Sequence, residues 1–188
     1  MVTQYFTASS VDGFIADPDN SLSWLLSRDI DAAGPMAYQR FMESVGAMVM
    51  GATTYNWILE HDVGADRAKP WPYEIPCWVF THGDLPRVQG DVRFAQGPVS
   101  PLHGEMVSAA ASRNVWVVGG GDLAGQFADA GLLDEVWVQY APVALGAGAP
   151  LLPRRLELRL EEVGRNRDFA CARYSVASPS TQHGSSET

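Results

Sequence analysis

The chain has 188 residues, 46% hydrophobic and 19% charged, enough for one buried core and with nothing that divides it in two, so residues 1–176 are expected to form a single domain. A formal charge of −9, with 13 Lys and Arg spread along the chain, excludes a nucleic-acid partner, which would be held by clustered cations. Cys77 and Cys171 form no C-x-x-C pair and the 4 histidines show no metal-ligand spacing, so neither a redox motif nor a metal site is expected.

The opening MVTQYFTASSVDGFIAD lacks a basic start and a long apolar stretch, and no other window is long enough to span a bilayer, so a cytoplasmic protein without a membrane partner is expected. Short β-rich runs predict strands at residues 3–9, 47–50, 77–81, 91–94, 115–118, 135–140, 156–163 and 169–176. Between them, Ala37, Phe41 and Val45 share a face with Tyr38 and Met42, predicting a helix over 35–45 with Pro35 in its first turn. Thr53 or Thr54 can cap a second helix at 55–60, a third is expected near 102–112, and a fourth begins near Asp122 or Leu123. This alternation predicts an α/β fold with a mostly parallel sheet. The last two strands, separated only by GRNRD, should close its edge as an antiparallel hairpin. The loop 61–75, with Pro70, Trp71, Pro72 and Tyr73, is long and irregular, so it either borders a site or is a surface connection. Residues 177–188 are small, polar and aperiodic and read as a disordered tail.

Three clusters carry chemistry. In VWVVGGGDLAGQF a buried strand meets Gly119, Gly120 and Gly121 at the start of a helix. Glycines there can take positive φ and turn their N–H groups, with the helix dipole, toward a phosphate. The bland reading is a plain strand-to-helix turn. In VMGATTYNW, Gly51 ends a strand where Thr53 and Thr54 open a helix, an ordinary N-cap or a second anchoring point for a bisphosphate across the sheet's carboxyl edge. In SVDGFIA, Asp12 and Gly13 form a turn pair that sets a loop beside the first strand.

Taken together with LLDEVWVQYAPVALGAGAPLL, these stretches resemble the dihydrofolate reductase-like fold family, and within it the reductase half of the bacterial riboflavin-biosynthesis deaminase-reductase, over roughly residues 2–176. The resemblance implies a three-layer αβα architecture and NADPH as cofactor. It places Ala8 and Ile15 near the nicotinamide, Gly51, Thr53 and Thr54 at the phosphates, Gly119, Gly120, Gly121, Asp122 and Leu123 around the diphosphate, and Thr81 and His82 by the adenosine 2′-phosphate. The family's arginine in G-R-x-T-Y is Ala52 here, which removes a planar cation suited to phosphate; Arg28, Arg40, Lys69 and Arg87 are candidate substitutes. The implied reaction is hydride transfer to a small pyrimidine- or pterin-type heterocycle, with 5-amino-6-(5-phosphoribosylamino)uracil as the family-level substrate. Dihydrofolate is the rival, and a dinucleotide-binding module without turnover the alternative of another class. Asp29, five residues after Trp24, is the candidate catalytic carboxylate, with a helix N-cap as its structural alternative; Asp12 is read chiefly as a turn former that also positions the loop and is the second catalytic candidate. Relatives pair through their late strands, which implies a homodimer through 136–140 and 156–163.

Overall fold

The computed structural model describes residues 1–64 and 69–177; the expected tail after Ala177 and part of the 61–75 loop lie outside them. In chain order the elements are β1 (Thr3–Ser10), β2 (Phe14–Ala16), α1 (Ser23–Leu26), α2 (Tyr38–Met42), β3 (Val45–Gly51), α3 (Ala52–Ile58, running on into a π-helical turn, Leu59–Val63) and β4 (Cys77–Phe80). They continue with β5 (Val92–Ala95), α4 (Ser100–Ala109), β6 (Asn114–Gly119), α5 (Gly121–Asp129), β7 (Glu135–Ala141), β8 (Ala149–Pro150), β9 (Leu158–Asn166) and β10 (Phe169–Val176). Eight strands form one sheet in the order β5-β4-β3-β6-β1-β7-β10-β9. All neighbours are parallel from β5 to β7, and β10 runs antiparallel to both β7 and β9, which is the expected terminal hairpin.

The parallel strands are apolar almost without interruption because both faces of the sheet are covered. Successive side chains alternate between the layers. Tyr5, Val49, Val115 and Val117 pack with Met106 of α4 and Leu123, Ala124 and Phe127 of α5. Phe6, Met48, Met50 and Trp116 face the other way, onto Phe41 of α2 and Tyr55 and Ile58 of α3. Phe6 and Phe41 stack at 4.4 Å between ring centroids, and the Trp116 indole N–H donates to the Phe6 carbonyl at 3.1 Å. That layering places the helices on opposite sides of the sheet and leaves its carboxyl edge open.

Several boundaries differ from the periodicity. The 35–45 stretch is not one helix. Met36 has φ of 52° and Ala37 is extended, so helix begins only at Tyr38, and Val45 already belongs to β3. Val45 is fully buried in the sheet, and its strand pairing overrides the helical spacing. The helix start near residue 53 is also different: Gly51 is the N-cap of α3 and no side chain caps it, so Thr53 and Thr54 lie inside the first turn. Helix α4 starts earlier and stops earlier than 102–112, since Ala111 and Ser112 have φ of 51° and 73°. The two short strands β2 and β8, which pair antiparallel, have no periodic signal of their own. Strand β7 lies inside the sheet between β1 and β10 and its Val136 and Val138 belong to the core, so residues 136–140 offer no free strand edge to a second copy.

Candidate active site

A cavity of about 700 Å³ opens at the carboxyl edge of the parallel strands, the place where open α/β sheets receive ligands. Its centre is built by the neighbouring strands β3 and β6. Gly51, Ala52, Thr53 and Thr54 enter it from the start of α3, and Gly119, Gly120, Gly121, Asp122 and Leu123 from the start of α5. Phe80, Thr81 and His82 from the end of β4, with Gln96, Gly97 and Pro98 after β5, line one side. Thr7 of β1, Ile15 and Ala16 of β2, Asn20 and Leu22 line the β1 side, and Ala149 and Pro150 of β8 cover it. Trp57, Ile58 and Asp62 reach the wall along α3 and its π-helical extension, together with Tyr73.

Close approach rather than left-handed backbone calls for glycine at Gly121 and, less tightly, at Gly119, whereas a Cβ on Gly120 would make only ordinary contact. None of Gly119, Gly120 and Gly121 has positive φ, contrary to the sequence expectation, and the Gly119–Gly120 peptide is cis. A Cβ on Gly119 would sit 3.1 Å from the Thr54 hydroxyl oxygen, and one on Gly121 would collide with the carbonyl oxygens of Pro150 and Leu151. Side chains at these positions would therefore push α5 off β8 and close the gap between the two helix starts. Gly120 is the N-cap of α5 and offers no side-chain acceptor, so the first-turn N–H groups stay available at the cavity wall. This cradle suits a phosphate or diphosphate, which neutral backbone donors and the positive end of the helix dipole can hold without a cation.

Among the candidate site residues, the cavity brings together Ile15, Gly51, Thr53, Thr54, Thr81, His82, Gly119, Gly120, Gly121, Asp122 and Leu123. It does not take in Ala8, Asp12 or Asp29. Ala8 alternates with Thr7, and Thr7 is the β1 side chain on the wall. Asp29 is mostly exposed and turned to the β9–β10 turn: its carboxylate pairs with Arg167 at 3.2 Å, and its backbone exchanges hydrogen bonds with Asp168. Neither the catalytic nor the N-cap reading of Asp29 matches this position. The spacing from Trp24 fails because the chain after α1 leads away along the sheet's antiparallel edge.

Asp12 acts through the backbone. Its carboxylate accepts from Ser10 Oγ at 2.6 Å and from the N–H groups of Leu145 at 3.0 Å and Gly146 at 2.7 Å. The Ser10 hydrogen bond, followed by those from Gly146 and Leu145, pulls its pKa down to about 2. Gly13, with φ of 86°, makes the turn beside it, and its carbonyl accepts from Leu151 N–H at 2.8 Å. The SVDG turn thus ties the β7–β8 loop to β1 and holds the small β2–β8 sheet over the cavity. The Asp12 carboxylate is absent from the cavity wall, where a catalytic role would need it.

The carboxylates that do reach the wall are Asp122 and Asp62. Gln126 and then Arg154 stabilise ionised Asp122 and lower its pKa. Asp62 was not foreseen; it lies in the 61–75 loop region, whose irregularity pointed to a site, as does Tyr73. The Tyr38 and Tyr73 hydroxyls approach to 3.5 Å, and burial, with a smaller contribution from the charge of Asp62, pushes both phenols upward. They remain neutral at physiological pH and serve as hydrogen-bonding groups. Among the described residues no cluster of His, Cys, Asp and Glu could hold a metal, and no helix is long and apolar enough to cross a membrane.

Comparison with known proteins agrees with this architecture. Residues 102–167 match the model of the RibD C-terminal domain, a stretch running from α4 into the β9–β10 hairpin. An uncharacterized protein of Bacillus subtilis (strain 168), YwjB, is 29% identical over 162 residues, covering 85% of this chain and 88% of the relative. A putative riboflavin biosynthesis protein from Shewanella sp. PV-4 superposes with a TM-score of 0.78 at 25% identity, over 95% of this chain and 100% of that one. The Thermotoga maritima diaminohydroxyphosphoribosylaminopyrimidine deaminase/5-amino-6-(5-phosphoribosylamino)uracil reductase aligns with a TM-score of 0.61 at 16% identity, over 94% of this chain but 56% of that longer one. Enterococcus faecalis dihydrofolate reductase, complexed with NADP(H), shares the fold at a TM-score of 0.56 and 13% identity, over 94% and 97% of the two chains. The chain is thus similar to the RibD C-terminal domain over residues 102–167 and has a dihydrofolate reductase-like α/β fold.

Proposed function

We propose that the protein is a reductase that uses a reduced nicotinamide dinucleotide to transfer a hydride to a pyrimidine- or pterin-type heterocycle. The observation that carries this reading is the cradle at Gly119–Leu123, where uncapped N–H groups of α5 open onto a cavity large enough for a dinucleotide's reacting end and a flat acceptor. A nicotinamide bound there supplies the hydride. The chain's share is to hold and orient. Residues 119–123 grasp the diphosphate, with Thr54 on the facing helix turn within reach of the same space. Ile15, Ala16, Ala149 and Pro150 give the cavity an apolar cover that keeps water from the reacting atoms. Asp62 and Tyr73 supply the polar wall against which an amino-substituted ring can be fixed by hydrogen bonds, the role first sought in Asp29.

The RibD relatives favour 5-amino-6-(5-phosphoribosylamino)uracil as the first substrate to try, with dihydrofolate second. The test is a fluorescence titration of reduced nicotinamide nucleotide against protein, followed by oxidation assays over aminouracils and pterins. Saturable binding and oxidation with one acceptor class are expected, and Asp62→Asn should raise the acceptor's KM by about tenfold, the loss of one charge-assisted hydrogen bond. A flat titration overturns the reading; binding without oxidation of any acceptor leaves the binding module in its place.

We also propose that two copies pair through the exposed edge strand β9, where Leu160 and Val163 are 56% and 69% exposed.

A further inference from the structure

We propose that this cavity does not select for the 2′-phosphate, so that NADH binds at least as well as NADPH; the inference rests on the dinucleotide reading above. A phosphate monoester carries close to two negative charges, and proteins that select it do so with Arg or Lys, whose charge-assisted hydrogen bonds repay its lost hydration. Among the described residues the cavity wall holds neither. Its acidic side chains are Asp62 and Asp122, the second paired with Arg154, and neither offers a partner to a further anion.

Among the described residues, Arg154 and Arg93 are already paired with carboxylates. Arg154, beside the cradle, donates from Nε to Asp129, from Nη2 to Asp122 and from Nη1 to the Pro153 carbonyl, all at 2.8–2.9 Å. Its stem lies against α5, where a Cβ on Gly125 would approach its Cγ to 2.8 Å. Arg93 pairs with Asp91 at 2.8 Å and sits 4.5 Å over the Trp78 ring, and Arg87 lies 5.6 Å over Phe94. The substitutes considered for the arginine replaced by Ala52, namely Arg28, Arg40, Lys69 and Arg87, are all absent from the wall, while Ala52 itself is on it. What remains on the β4–β5 side are Thr81, His82 and the Gln96 amide, groups suited to ribose hydroxyls. Diphosphate binding by backbone N–H groups is common to both nucleotides and does not discriminate between them.

Calorimetric titration of the full-length protein with NADH and with NADPH, at one pH and salt concentration, decides the matter without recourse to turnover. The expected result is equal affinity or an NADH preference of up to about tenfold. NADPH binding tighter than NADH, beyond the error of the two fits, overturns this inference while leaving the reductase reading intact, and equal or tighter NADH binding supports it. Binding of neither nucleotide overturns the reductase reading and this inference with it.

Discussion

Asp12 shows how a residue remote from the cavity shapes it. Its carboxylate fastens two backbone N–H groups of the β7–β8 loop, and that loop leads into the strand covering the site. Because the native state depresses this pKa to about 2, the stabilisation is complete above the ordinary carboxylate range and is lost as pH falls through about 2. The clasp should therefore hold unchanged from neutral pH down to about pH 4. In Asp12→Asn one oxygen acceptor is replaced by a donor. Hydrogen exchange at Leu145 and Gly146 is expected to quicken and nucleotide affinity to fall while secondary structure is retained; unchanged exchange at both amides would contradict the positioning role. Asp12 was legible as a turn former from the D-G pair alone. Its partners were not, since Leu145 and Gly146 lie 133 and 134 residues away. Asp29 failed for the complementary reason: spacing along the chain says nothing of the direction the chain takes after α1.

At the scale of elements, the decisive junction is β6 into α5. Leu123 and Phe127 stand one helical turn apart and bury against the sheet, which anchors α5 and aims its N-terminus into the cavity. The contact of Gly121 with the Pro150 and Leu151 carbonyls then joins this junction to β8. Gly121→Ala is expected to force that contact apart, costing about 1–3 kcal/mol, or roughly 2–12 °C in melting temperature for a domain of this size. It should also weaken nucleotide binding, because the cradle moves with the helix; calorimetry of the variant reads both. The three glycines were recognisable as a special turn from their sequence. The reason for them was not, since positive φ was expected and close packing against a strand some thirty residues later is what the fold imposes. The missing half of the 35–45 helix has a similar origin, as the buried pairing of Val45 outweighs a helical apolar pattern.

At the scale of the molecule, the hairpin of β9 and β10 extends the parallel sheet and ends in an open edge. Strand β9 is nine residues long, exposed for most of its length, and displays Leu158, Leu160 and Val163 to solvent. A long edge with apolar side chains favours pairing with a second copy, and a two-fold arrangement would close both edges at once. Light scattering should give the mass of two chains, and Val163→Lys with Leu160→Lys should return it to one; a single-chain mass for the unmodified protein would overturn the pairing. The sequence by itself determined the order of the eight main-sheet strands and of α2 to α5 between them, the parallel sheet with its antiparallel end, and the glycine-rich turn, because these follow from local periodicity and backbone chemistry. Tertiary structure alone decided which carboxylates reach the cavity, that no described Lys or Arg lines it, and which apolar strand is core and which is edge. Those outcomes depend on contacts between residues far apart in the chain, where the direction of each side chain is set by packing rather than by its neighbours in sequence.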